Sequence, residues 1–189
     1  MKKLLLPLVL LFLVTTISCG SSTSQNTHAV QLRVMQGSVD IGSVDVLLDS
    51  QVIASNLAFH AVVPTPTTNY LSVRAGKGHF QVFPAGATSP VFADLTQPLS
   101  GNNFYTVLTV GRQSSGTLST LILTDDHSAP AAGQVKFRLV QGASSIGALD
   151  VYLTNQPTDP VPAAPAISGF SYKSVTSYIS RMDRVLRFV

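Results

Sequence analysis

The sequence contains no tryptophan, no glutamate and a single cysteine, and only 11% of its 189 residues are charged. Glutamate and lysine are the residues from which amphipathic surface helices are usually built. Their scarcity, beside abundant valine, threonine and serine, favours β-strands. A single cysteine cannot form an intramolecular disulfide or a two-cysteine redox pair. We therefore expect an all-β fold without disulfides.

The charge balance gives no sign of a nucleic-acid partner. The formal net charge is +3, and Lys2 and Lys3 supply two of the positive charges. Once an N-terminal signal is removed, ten basic and nine acidic residues remain. A nucleic-acid-binding surface requires a clear basic excess. We therefore expect no nucleic-acid partner.

The N-terminus has the organisation of a secretory signal. Lys2 and Lys3 precede an apolar stretch at residues 4–14 that is interrupted only by Pro7. Such a stretch is typical of a cleaved signal and is shorter than a membrane-spanning helix. The sequence predicts a signal peptide over residues 1–18 and a polar, Ser-rich tether over residues 19–28.

The only cysteine lies at the expected cleavage point, in "TTISCG", which resembles a bacterial lipobox. In such signals the cysteine is alkylated by diacylglycerol, the chain is cut before it and the new amine is acylated. Thr16 stands where leucine is usual, whereas Ile17 and Ser18 fit the pattern. The resemblance implies lipidation of Cys19 and anchoring in a membrane, the outer membrane if the organism has one. The alternative is an ordinary signal with a chance cysteine.

Two stretches of the chain repeat one another without a gap. Residues 32–48 align with residues 137–153 at a constant offset of 105 positions. An offset of roughly 100 residues is the size of a β-sandwich domain and far longer than a solenoid repeat. The alignment predicts two related domains in tandem. The identical pairs are Arg33/Arg138, Gln36/Gln141, Gly37/Gly142, Ile41/Ile146, Gly42/Gly147, Asp45/Asp150, Val46/Val151 and Leu48/Leu153.

Short alternating segments predict the strands of the first copy. Val30, Leu32 and Val34 fall on one face of "HAVQLRVMQ". "RAGKG" is interpreted as a hairpin turn between "NYLSV" and "HFQVF". Seven or more short strands with regular turns predict a two-sheet antiparallel β-sandwich over residues 29–133. The aromatic residues expected in its core are Tyr70, Phe80, Phe83, Phe92, Phe104 and Tyr105.

Four segments together resemble a known family, the bacterial domain-of-unknown-function 4397 family. They are "RVMQGSVDIGSVDVLLDSQVIASNLAF", "NYLSVRAGKGHFQVFPAG", "FYTVLTVG" and "LILTDDHSAPAAGQVKFRLVQG". The resemblance implies an immunoglobulin-like sandwich that occurs in tandem on secreted and lipid-anchored proteins, and it implies no activity. Gln36 and Gly37 stand where the family often has His-Ala, so no role of that histidine is transferred.

The second copy, over residues 134–189, is expected to be partial. A Pro-rich insertion follows its first strands, and no counterparts of "SPVFADLT", "NFYTVLTV" and "LSTLILT" are found in the sequence. Half a sandwich exposes a sheet face and open edges. Either the product is truncated, or the half domain docks on the first domain or on a partner. Arg181, Arg184 and Arg187 form a weak basic stripe that we interpret as the solvated side of an interrupted hairpin.

Few residues of the sequence suggest a metal site, a catalytic role or a phosphate-binding loop. Asp125, Asp126 and His127 lie together in "TDDHSAP", but a metal site needs three or more converging ligands, and we interpret the segment as a strand end and linker. Asp45 and Asp150 recur within a strand, where aspartate is usually an outward residue or a loop anchor. Gly37 and Gly42 are interpreted as turn glycines, because no helix follows them to bind a phosphate.

No catalytic constellation emerges from the remaining residues. His28, His60 and His79 are dispersed, and the sequence has no G-x-S-x-G motif. Paired carboxylates for glycoside hydrolysis would have to be two aspartates, and none form an evident pair. We therefore expect no catalytic residues, no metal and no cofactor, and the residues of any binding site stay unassigned.

Three functional hypotheses follow. The first is a lipid-anchored, extracytoplasmic envelope protein whose non-catalytic sandwich serves binding or structure, with an envelope protein or polymer as partner. The second is a secreted or surface hydrolase, which a clustered acidic or histidine site in a folded cleft would favour. The third is a non-functional remnant of a longer tandem lipoprotein, which related coding sequence downstream would favour.

Overall fold

A computed structural model of the chain describes residues 28–66, 69–155, 164–182 and 186–187. Every regular element in these ranges is a β-strand, as the composition predicts. No helix long and apolar enough to cross a membrane occurs in them. The strands are β1 (Val30–Gln36), β2 (Val44–Leu48), β3 (Gln51–Leu57), β4 (Val62–Val63), β5 (Leu71–Val73), β6 (Gly76–Pro84), β7 (Ala93–Leu99), β8 (Phe104–Val110), β9 (Ser119–Asp125), β10 (Gln134–Phe137), β11 (Leu149–Val151), β12 (Thr154–Asn155), β13 (Ile167–Phe170), β14 (Ile179–Met182) and β15 (Leu186–Arg187).

Strands β1 to β9, which we term the first unit, form two sheets. One sheet has the order β4-β1-β8-β9, with β5 also paired to β1, and the other has the order β3-β2-β6-β7. The pairings are antiparallel except that of β1 with β8, which run parallel from Gln31 opposite Phe104 to Gln36 opposite Thr109. The predicted all-β, sandwich-like architecture is confirmed, with one parallel strand pair that the sequence did not indicate.

Alternate residues of these strands share one core. Val30, Leu32 and Val34 of β1 are at most 1% exposed, as their alternation predicts. Burial of each large apolar side chain contributes roughly 1.5–3 kcal/mol, so this core dominates the stability of the unit. Its other members include Val44 and Val46 of β2, Phe80 and Val82 of β6, and Tyr105 and Val107 of β8.

The aromatic residues divide between the core and the outer face. Phe80, Phe83 and Tyr105 are buried, as expected. Phe92 is partly buried against the core. Tyr70 and Phe104 are also only partly buried, and their rings meet edge-on at 5.1 Å. The expectation that all six fill the core is therefore wrong for these two, which lie beside the polar cluster described below.

The interpretation of "RAGKG" as a hairpin turn is wrong. β5 pairs with β1 in one sheet, whereas β6 pairs with β2 and β7 in the other. The glycine-containing segment therefore connects two layers of the sandwich instead of two neighbouring strands. A true two-residue hairpin joins β2 to β3, where Asp49 and Ser50 both have positive φ, the conformation that such tight turns require.

Strands β10 to β15, which we term the second unit, form three two-stranded sheets, β10-β14, β11-β13 and β12-β15. Phe137 lies opposite Ile179 in the first of these, and its aligned residue Leu32 lies opposite Leu71 in the first unit. The first strands of the two aligned segments thus have the same type of antiparallel neighbour in the same register.

Candidate functional site

A polar cluster surrounds the end of β9, where the side chain of Asp125 is only 2% exposed. Its Oδ2 atom accepts hydrogen bonds from Thr106 Oγ1 at 2.6 Å, Tyr70 Oη at 3.0 Å and Arg33 Nη2 at 3.3 Å. Its Oδ1 atom accepts one from Arg138 Nη2. We call these five residues the Asp125 cluster.

Strand register explains how residues so far apart in sequence meet. Arg33 lies on the face of β1 opposite to the core, and Thr106 is its direct partner across the parallel β1–β8 pair. Asp125 is the last residue of β9 and pairs with Phe104 at the start of β8. The three strands therefore bring an arginine, a threonine and an aspartate together on the outer face of one sheet.

The electrostatics of the cluster are those of a buried carboxylate held by two guanidinium groups. Charge-assisted hydrogen bonds of this kind are about twice as strong as neutral ones, and loss of one partner would leave a buried charge uncompensated. Burial, with the charge of Asp125 and the hydrogen bond to it, raises the pKa of Tyr70 to about 12. The phenol of Tyr70 is therefore a hydrogen-bond donor at neutral pH.

The Asp125 cluster also joins the two units, because Arg138 belongs to the second. Arg138 Nη1 additionally donates to the carbonyl of Thr124 at 2.7 Å. Lys136 forms an ion pair with Asp126 at 2.9 Å. Hydrogen bonds from Ser128 and Lys136 hold the pKa of Asp126 well below its ordinary value. The end of β10 is thus bound to the end of β9 by the charged side chains of Lys136 and Arg138.

A second set of contacts holds the two units together at their loops. The amide of Gly111 donates to the carbonyl of Gly142 at 3.1 Å. Thr117 Oγ1 donates to Ser144 Oγ at 2.6 Å, and Tyr172 Oη donates to the Thr117 carbonyl. These contacts bind the loop after β8 to Gly142, Ser144 and Tyr172 of the second unit.

Residues at aligned positions of the two units make the same cation–π contact. The guanidinium of Arg33 lies 5.0 Å from the ring centroid of Tyr70. That of Arg138, its aligned partner, lies 5.1 Å from the ring of Tyr178. Both arginines also bind Asp125, so the two aligned positions share one carboxylate.

Asp45 and Asp150 act as loop anchors, one of the two roles that the sequence favours for them. The amide of Asn56 donates to Asp45 at 2.8 Å, and that of Gly169 donates to Asp150 at 2.9 Å. Asn56 and Gly169 both have positive φ and lie at irregularities of the strand pairs β2-β3 and β11-β13. Each aspartate therefore stabilises a β-bulge in its own unit.

Gln36 and Gln141 anchor the loop that follows the first strand of each unit. Gln36 Oε1 accepts a hydrogen bond from the amide of Ser38, and Gln141 Oε1 accepts the aligned bond from Ala143 at 2.9 Å. Gly42 has a φ of 66°, which suits the predicted turn. The side-chain amide nitrogens differ: Gln36 Nε2 donates two hydrogen bonds, whereas Gln141 Nε2 has no partner in the described part of the chain.

The structure does not assemble the predicted "TDDH" residues into a metal site. Asp125 and Asp126 are bound by arginine and lysine side chains instead. His127 stacks on Phe104 at 4.3 Å. His60 stacks on Phe59, and His79 hydrogen-bonds to Asp94 at 2.7 Å. Across the described ranges no three His, Cys, Asp or Glu side chains are placed to hold a metal ion.

Several predicted residues cannot be placed. Cys19 and the rest of residues 1–27 lie outside the described residues, as does Arg184. Arg181 is exposed on β14 and Arg187 lies on β15. Sequence reasoning missed the Asp125 cluster as a whole. The identity of Arg33 with Arg138, a charged residue at an aligned strand position, was the signal that could have found it.

Comparison with known proteins gives a family without an assigned activity. The model of the family described as Domain of unknown function (DUF4397) matches residues 30–152, about two thirds of the chain. No curated protein matches the sequence. The match includes β1 to β9 and continues into the second unit as far as β11. The chain belongs to the DUF4397 family.

Proposed function

We propose that the protein is a lipid-anchored, extracytoplasmic component of the bacterial cell envelope, and that its β-sandwich is a non-catalytic module for binding or structure. The observation that carries the proposal is the position of the only cysteine, Cys19, directly after a basic and apolar signal-like segment. Several acyl chains on one residue give stable anchoring, because each buried methylene contributes about 0.8 kcal/mol.

The chemistry of the Asp125 cluster supports the non-catalytic part of the proposal. Both carboxylate oxygens of Asp125 accept hydrogen bonds, two of them from guanidinium groups. Hydrogen-bond donors occupy both oxygens, so this carboxylate is poorly placed to take a proton from a substrate. The cluster is better suited to hold strands and units together than to transfer a proton.

We further propose that residues 134–189 are a partial second copy of the sandwich. The shared register of β1-β5 and β10-β14, the two aspartate-anchored bulges and the two Arg–Tyr contacts support it. On this view the Asp125 cluster is the joint that connects successive copies of a tandem protein. The membrane-proximal tether would then present the first unit, with the second docked on it.

Metabolic labelling tests the anchor. We expect the full-length protein, expressed with its own signal, to incorporate labelled palmitate and to sediment with membranes. Cys19→Ser should abolish both, because it removes the thiol that is alkylated. Ser18→Ala is the matched control, since it changes the neighbouring residue but keeps a small side chain before the cysteine. Palmitate incorporation that survives Cys19→Ser would refute the proposal.

A further inference from the structure

The second unit contains an apolar cleft whose counterpart in the first unit is filled. The cleft has a volume of about 380 Å³, and its walls include Leu139, Leu149, Val151 and Phe170. Leu149 is 41% exposed. An exposed apolar cleft of this kind is typical of a binding surface.

Strand register identifies the residues that close the same space in the first unit. Leu139, Leu149 and Val151 align with three buried core residues, Val34, Val44 and Val46, which are at most 1% exposed. Phe170 lies opposite Leu149 as Leu57 lies opposite Val44. In the first unit these positions pack in one core with Tyr105 and Val107 of β8 and with Phe80 and Val82 of β6.

A buried amide group in the cleft wall has no partner. Gln141 is only 6% exposed, and its Nε2 atom makes no hydrogen bond within the described part of the chain. In the first unit Gln36 Nε2 donates to the carbonyls of Ser38 and Gly42, each at 3.0 Å. A buried donor without an acceptor is destabilising, so an incoming carbonyl oxygen would be favoured here.

One edge of β10 provides the place for such a carbonyl. β1 pairs with β5 on one edge and with β8, in parallel, on the other, where Val34 lies opposite Val107. β10 pairs with β14 as β1 does with β5, and in the described ranges no strand pairs with its other edge. The open edge and the open cleft therefore adjoin one another.

We propose that the second unit binds an extended segment of another polypeptide, which adds to β10 as a parallel strand and fills the cleft with alternate apolar side chains. The backbone of the segment would supply ladder hydrogen bonds to the edge of β10 and an acceptor for Gln141 Nε2. β8 is the template for the segment, since it occupies the corresponding place in the first unit. An aromatic and a β-branched residue two positions apart, as in Tyr105 and Val107, should bind best.

Synthetic peptides with the sequence of residues 103–110, "NFYTVLTV", flanked by lysines for solubility, test the proposal against the full-length protein by fluorescence anisotropy. We expect saturable binding. Aspartate in place of the two inward residues, Tyr105 and Val107, should weaken binding by at least about tenfold, because these side chains enter the cleft. Aspartate in place of the outward residues Thr106 and Leu108 should have a much smaller effect.

Protein variants locate the binding to the cleft. Leu149→Arg should abolish peptide binding without unfolding the protein, because this side chain is already partly exposed. Val39→Arg, at a 50% exposed apolar position of the first unit, is the matched control and should bind the peptide normally. Gln141→Leu should weaken binding but leave the circular dichroism spectrum unchanged.

Three results would overturn the proposal. They are the absence of binding, equal binding of inward- and outward-substituted peptides, and undiminished binding to Leu149→Arg. The first would mean that the cleft does not take an extended peptide.

Discussion

Val44 and Leu149 occupy aligned positions on β2 and β11, yet Val44 is fully buried and Leu149 is 41% exposed. The local contacts around them are alike, since Asp45 and Asp150 anchor the same type of bulge in both units. What differs is the packing supplied by strands far along the chain, such as β6 and β8. A short sequence segment therefore determines the bulge contacts, whereas burial of the side chain requires the whole sandwich.

The largest expected effect is that a core substitution lowers the free energy of unfolding more in the first unit than in the second. Phe80→Ala should lower the free energy of unfolding by about 3–5 kcal/mol, because it empties the centre of a closed core. Leu149→Ala should cost less than about 1 kcal/mol, because its side chain is partly exposed and its surroundings are open. Chemical denaturation followed by circular dichroism measures both. Equal costs would break the distinction between a closed and an open unit.

The next effect concerns the joint between the units. Asp125→Asn should cost about 2–3 kcal/mol, because it removes the charge that two partly buried guanidinium groups share. Arg138→Met and Arg33→Met form a matched pair at aligned positions. Arg138→Met should release the second unit, and Arg33→Met should chiefly destabilise the first.

Limited trypsin digestion with mass spectrometry distinguishes these variants. In Arg138→Met, cleavage after Arg181 on β14 should be faster than in the wild type, while the first unit keeps its melting temperature. In Arg33→Met the melting temperature should fall. Unchanged cleavage after Arg181 in Arg138→Met would show that the charged joint does not hold the second unit.

A smaller effect separates the two aligned glutamines. Gln36→Leu should cost about 1–3 kcal/mol, because it leaves two buried loop carbonyls and the Ser38 amide without their partner. Gln141→Leu should cost less than about 1 kcal/mol, since it also removes a buried donor that has no acceptor. Thermal unfolding of the two variants measures the contrast, and a larger loss in Gln141→Leu would contradict it.

The smallest effect is a pH dependence at Tyr70. Its pKa is raised from 10.0 to about 12, so the folded state favours the neutral phenol. The stabilisation is fully present below pH 10.0 and is lost as the pH rises towards about 12. Ultraviolet titration of the wild type against Tyr70→Phe isolates this group. Asp125→Asn should lower the pKa of Tyr70, and a pKa that stays unchanged would show that Asp125 does not act on it.

Local pattern was enough to predict the strands and the inward face of β1. The alternation of Val30, Leu32 and Val34 needs only the period of two residues that a strand imposes. Local pattern failed for "RAGKG", because a glycine between two apolar segments suits a connection between two layers as well as a hairpin. The pairing of β5 with β1 and of β6 with β2 decides between these two structures, and both partners are distant in sequence.

The Asp125 cluster could not be predicted from short sequence segments either, because its residues are distant in sequence. Arg33 and Asp125 are 92 positions apart, and they meet only because β1 lies parallel to β8 and β8 pairs with β9. Nothing in the segment around Asp125 shows that it faces two arginines. The aligned segments predicted part of the cluster, because they identified Arg33 and Arg138 as a recurring pair. They did not indicate that both arginines bind Asp125.

Hydrogen–deuterium exchange of the full-length protein, resolved by mass spectrometry, measures how far each unit closes its core. We expect the first unit to be closed and the second to be open at the aligned positions. Amides of β1 and β2 should exchange only on global unfolding, whereas those of β10 and β11 should exchange much faster through local opening. Equal protection of residues 44–48 and 149–151 would contradict the account.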